Sequence, residues 1–198
     1  MITFKSKKDV KNPDDIFAEI SARQVAALMI HDYMASFFDF LGLRGYKRLH
    51  EYQFYSEGRE YRKTSRYYIN HHSRMIPESG SKPELSKTPL HTASRMSVGK
   101  STKQMAVEDC MTEWQKWESE TKELYEHYAK EMMDQGMIAD ALFIEKLVAG
   151  TNEELKKADR LVIDLISAGY DMTYIMESQK EIHDKYKAKA KKLEKEDE

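Results

Sequence analysis

Cysteine is nearly absent from this chain. Cys110 stands alone in 198 residues, which excludes an internal disulfide and suits a reducing compartment. Proline and glycine are scarce as well, at four and eight, and β-branched residues are few beside Glu, Lys, Ala, Met and Leu. Few helix breakers among many helix formers point to an all-α protein. No apolar run approaches the ~18 residues of a membrane span, and the start, MITFKSKKDV, has no apolar h-region of the kind a secretory signal needs. Net charge is −2, so no global field steers nucleic acid to the surface. A cytoplasmic protein is expected, with neither a membrane nor nucleic acid as partner.

What is present is helical periodicity. Asn12-Pro13-Asp14-Asp15 has the form of a helix start: an Asn cap, Pro at the first position and acids at the positive end of the dipole. The spacing predicts a first helix over 13–40 with Ile16, Ile20, Val25, Leu28, Met29, Tyr33, Phe37 and Phe40 on its buried face. After the short break at 42–45, a second helix is expected over 46–71. Its stripe is Tyr46, Leu49, Gln53, Glu57, Glu60 or Tyr61, Ser65 and Tyr68. So short a break implies antiparallel neighbours. Residues 74–105 hold Pro77, Pro83 and Pro89 among Ser, Thr, Lys and Gly and read as a long crossover. It would let a third helix, 105–135, lie parallel to the second, with Trp114, Trp117, Thr121, Leu124, Tyr128 and Met132 inward. A fourth helix over 137–167 and a Lys-rich fifth over 172–196 complete the reading. The expected organisation is an arm (1–12), a four-helix bundle (13–170) and a C-terminal helix with a Lys-rich tail (171–198). Four-helix bundles with one long crossover form the ferritin-like class.

Three stretches carry a more specific likeness. GYKRLHEYQFYSEGREYRKTSRYYINHHSRMIP resembles the second helix of ferritins, DALFIEKLVAGTNEELKKADRLVIDL resembles their fourth, and GYDMTYIMESQ is similar to the short fifth helix they add. The resemblance spans about residues 15–180. It implies a ferritin-like bundle that binds iron, oxidises Fe(II) with oxygen, and stores the product in a homo-oligomeric shell. Iron suits carboxylate and imidazole donors, which other divalent metals also accept. Carried onto this sequence, the first-helix acid falls on the neutral Gln24 and the second-helix acid on Glu57. The histidine three residues later falls on Glu60 or, with a one-residue slip, on Tyr61. The third-helix acid falls near Glu113, with Glu118 in the competing register. The fourth-helix positions fall on Thr151 and Glu154. Glycines sit beside two of these positions, Gly58 and Gly150; such a glycine either permits a π-bulge or close helix approach or serves simple tight packing.

Two histidines add an alternative. His31 lies seven residues after Gln24, and His50 seven before Glu57, so each shares a face with its partner two turns away. On antiparallel helices they sit at similar height. They either join a carboxylate in a displaced metal site or fill aromatic core positions and hydrogen-bond a neighbour. His71-His72 read as a surface pair at a helix end. Two functions stay open: an iron-handling protein with ferroxidase chemistry, and a ferritin-like scaffold without it, acting through assembly or partner binding.

Overall fold

The computed structural model describes residues 12–78 and 100–196, so the expected arm, most of the crossover and the last residues of the tail lie outside it. Five helices follow in order: α1 Pro13–Phe40, α2 Arg44–His72, α3 Lys100–Asp134, α4 Ile138–Ser167 and α5 Met172–Glu196. The Asn12 side chain accepts from the Asp15 amide at 3.0 Å, as the cap motif predicts. α1 stops at Leu41-Gly42, where the Leu43 amide bonds Phe38 O at 2.8 Å and the Gly42 amide bonds Asp39 O at 3.0 Å. This Schellman closure needs a left-handed residue at its centre, and Gly42 supplies it with φ +70°.

Cross-helix contacts fix the topology. Asp14 meets Tyr68, Gln24 meets Thr64 and His31 meets His50, so α1 and α2 are antiparallel. Glu19 meets Tyr128 and Arg23 meets Thr121, so α3 opposes α1 and runs parallel to α2, as the crossover requires. Tyr67 meets Asp140 and Gln53 meets Glu154, so α4 opposes α2. α5 lies along α2 in the same direction, with Tyr46 beside Ser178 and Tyr52 beside Tyr186.

The core has two apolar blocks. One gathers Phe38, Tyr46, Leu49, Trp114, Val162 and Ile175. The other gathers Ile16, Phe17, Tyr68, Tyr128 and Ile144 at the opposite end. Between them lies a waist of buried polar side chains: Arg23, Gln24, His31, His50, Gln53, Thr64, Glu118, Thr121 and Thr151. This waist explains the main departure from the periodicity. Val25, Met29, Tyr33 and Phe40 are exposed on α1, whereas Arg23, Gln24, Ala27, Ile30, His31 and Met34 face inward. An apolar pattern is misled where a helix turns polar groups to the core and carries apolar residues on its outer face as well. Two smaller expectations also change. α2 runs unbroken through Gly58 as α-helix, without a π-bulge. His72 is no surface group: it stacks on Tyr68 and its Nε2 lies 3.0 Å from Asp140.

Candidate metal centre

The waist is built from four helices. α1 supplies Arg23, Gln24 and His31; α2 supplies His50, Gln53, Glu57 and Glu60; α3 supplies Trp114 and Glu118; α4 supplies Thr151, Glu154 and Lys157. At its centre, one donor atom each from His31, Glu57 and Glu118 lie within 4.8 Å of one another. His31 and Glu118 are buried and Glu57 is half-buried.

His31 and His50 are both fully buried. Their Nδ1 atoms lie 2.9 Å apart, so one ring donates to the other. The rings stack at 5.2 Å, with Phe38 behind His50 at 5.5 Å and the Trp114 edge against both. Among the described residues, neither Nε2 has a hydrogen-bond partner. A buried polar atom without a partner is rare and calls for a reason. Burial holds His31 down to about 3. Burial, with His31 beside it, depresses His50 as well. Both rings are therefore neutral at neutral pH, the state in which imidazole ligates metal.

The carboxylates show the reverse effect. Burial pushes Glu118 up to about 8, with Glu154 adding to the shift and the Trp114 indole opposing it. That indole donates to Glu118 Oε1 at 3.0 Å. Glu57 is raised by burial and by Glu118, Glu60 and Glu154, while Arg23 pulls the other way. Burial also raises Glu60, to about 7, against the opposing effects of Lys63 and a Gln24 hydrogen bond. Buried like charges repel, and either protons or a cation must compensate them.

The sequence-predicted residues fall into place unevenly. Glu57 and His31 share the central triad. Glu60 and Glu154 act on the same carboxylates electrostatically. Gln24 donates to Thr64 at 3.0 Å, and His50 reaches the centre only through His31. Glu113 is half-buried one position before Trp114 and acts on the Cys110 thiol; among the described residues it joins no potential ligand group, whereas Glu118, the competing register, is the α3 member of the triad. The signal for Glu118 was available in its spacing: it lies four residues after Trp114 and three before Thr121, on the buried stripe, where Glu113 does not lie. Arg23 gave no such signal. Its Nε donates to Thr121 at 2.8 Å and its Nη2 to Trp117 O at 3.0 Å, and the guanidinium lies 3.4 Å above the Trp117 ring.

The arrangement defines a ferritin-like helical bundle with a carboxylate and imidazole waist. Solved structures agree on the fold. An Archaeoglobus fulgidus ferritin engineered to a closed form is similar at TM-score 0.68 and 15% identity, over 90% of this chain and 97% of that one. The open-pore ferritin of the same archaeon is similar at TM-score 0.67 and 17% identity, over 90% and 98%. A humanized archaeal ferritin is similar at TM-score 0.68 and 16% identity, over 90% and 96%. No protein-family model matches the chain, and no curated protein does. At these identities the likeness establishes the architecture.

Proposed function

We propose that this chain is a ferritin-like protein that takes up a divalent cation, Fe(II) before others, among His31, Glu57 and Glu118. One observation carries the reading: a ring nitrogen of His31 and two carboxylates converge inside the bundle, and His31 Nε2 has no hydrogen-bond partner among the described residues. Two hard oxygen donors with one borderline nitrogen suit iron, and manganese or zinc as competitors. The chain's own residues bind and orient. Trp114 fixes Glu118, His50 fixes His31, and the two apolar blocks keep bulk water from the waist. Bound iron would supply the redox chemistry, each Fe(II) giving one electron to dioxygen.

Assembly belongs to the same reading. Val25, Met29, Tyr33 and Phe40 stand exposed along α1, and a homo-oligomer would cover them. Sedimentation of the purified chain against a Met29→Glu variant tests this. No helix among the described residues is long and apolar enough to cross a membrane.

The scaffold alternative draws on Arg23 and Lys157, which offset part of the cluster's charge, and on the neutral Gln24. Iron addition separates the two readings. Fe(II) added under air should oxidise faster than in buffer, read as the rise of the ferric-oxo absorbance, and Glu57→Ala should abolish the gain. A rate equal to buffer with the wild-type chain leaves the scaffold.

A further inference from the structure

We propose that the waist holds one divalent cation per chain, not a pair, because the protein's own cations and amides occupy the rest of the carboxylate cluster. The proposal rests on the metal-binding reading above and deepens it.

Bundles that bind two metal ions assemble four carboxylates and two imidazoles, with a Glu from each of two helices and Glu-x-x-His from each of the others. Their four negative charges balance two divalent cations. This chain also brings four carboxylates to the waist, Glu57, Glu60, Glu118 and Glu154. Glu154 is already engaged on both oxygens. Lys157 Nζ lies 2.5 Å from its Oε1, and Gln53 Nε2 donates to its Oε2 at 2.7 Å. The Gln24 amide acts on Glu60 against the effect of burial, and the Oε1 of Glu60 rests against Gly150, where a Cβ would lie 3.2 Å away. On the other side, Arg23 is buried to 1% exposure and its charge acts on both Glu57 and Glu118.

Lys157 thus offsets one of the four carboxylates, and Arg23, whose ion pair at 3.8 Å is with Glu120, offsets only part of the rest. The negative charge that remains falls short of the four charges that balance two divalent ions. The donor count agrees, because among the described residues one set of atoms converges at ligand spacing, from His31, Glu57 and Glu118. A metal on His31 Nε2 requires the proton on Nδ1, and His50 Nδ1 at 2.9 Å is the acceptor that holds it there. His50 is a positioning residue in this arrangement. Where a second ion would need further donors, the chain offers the amides of Gln24 and Gln53 and the hydroxyl of Thr151, all neutral.

Anaerobic titration of the full metal-free chain with Co(II) tests the count. Isothermal calorimetry and the visible bands of protein-bound cobalt are the readouts. Sites abolished by Glu57→Gln are counted, so surface binding cancels. One equivalent per chain is expected to disappear in that variant and to survive Glu154→Gln, with helicity checked by circular dichroism. Two equivalents lost in Glu57→Gln, or loss of the single site in a folded Glu154→Gln, would overturn the one-ion proposal while keeping the metal-binding reading. A wild-type chain that binds no Co(II) at the waist removes both.

Discussion

Trp114 holds Glu118 from one turn away on the same helix, with its indole nitrogen 3.0 Å from the carboxylate. The bond fixes the rotamer of a carboxylate that has a donor atom within 4.8 Å of those of His31 and Glu57. Partners of this kind orient ligands, and their loss typically weakens metal affinity by about 10–100-fold. Trp114→Phe keeps an aromatic ring against His31 and His50 and removes the donor, with some loss of core volume. It should lower Co(II) affinity about tenfold with the number of sites unchanged. Calorimetry reads both quantities. An unchanged affinity would mean that the indole only packs. A second check is the tryptophan emission of the wild-type chain, which should quench as the metal binds beside Trp114.

At the scale of elements, the placement of α5 depends on a glycine. A Cβ on Gly45 would lie 2.2 Å from the carbonyl oxygen of Gln179 and 2.7 Å from its Cα. The obstacle is backbone, so no rotamer relieves it. Gly45→Ala must push α5 away from α2, and with it the packing of Tyr186 on Tyr52 at 5.4 Å. Overpacking of this kind typically costs about 1–3 kcal/mol. The urea midpoint should fall accordingly, with faster amide exchange along α5 than along α3. A wild-type midpoint would show that the two helices pack more loosely than the structure has them. Gly150→Ala provides the contrast, since there the neighbour is the end of the Glu60 side chain, which yields more easily.

The same scale shows what the sequence made legible. Helix number, order and most boundaries followed from caps and breakers, because Asn12, Gly42, Gly136 and Gly169 act locally. The inward face of α3 was legible because Trp114, Trp117, Tyr128 and Met132 are apolar and regularly spaced. The inward face of α1 was legible only in part: the resemblance and the seven-residue spacing placed Gln24 and His31 inward, but nothing marked Arg23, which is stabilised by Thr121 far away in sequence. Periodicity counts apolar residues and takes no account of a polar group whose partner lies on another helix. The same blindness hid the double engagement of Glu154, half of which comes from Gln53 on α2.

For the molecule as a whole, the buried waist sets how stability depends on pH. Glu118 and Glu60 are raised from 4.5 to about 8 and about 7. Between those values the folded state keeps protons that the unfolded chain has released, so stability falls as pH rises through the window. His31 is lowered from 6.5 to about 3. Below 6.5 the unfolded chain takes up a proton that the folded ring refuses, so stability falls as pH drops toward 3. The two windows overlap from pH 4.5 to 6.5 with opposing slopes, so the metal-free protein should be most stable within that overlap, near pH ~5.5. Its Tm should drop by about 5 °C or more by pH ~8. A bound divalent cation replaces the protons on Glu57 and Glu118, so it should raise Tm more at the alkaline end than at the optimum. Thermal melts across this range, with chelator and with Zn(II), read both effects. A chelated protein whose Tm climbs steadily to pH ~8 would mean that these carboxylates are ionised and satisfied without a metal, and the charge argument for a cation at the waist would fail with it.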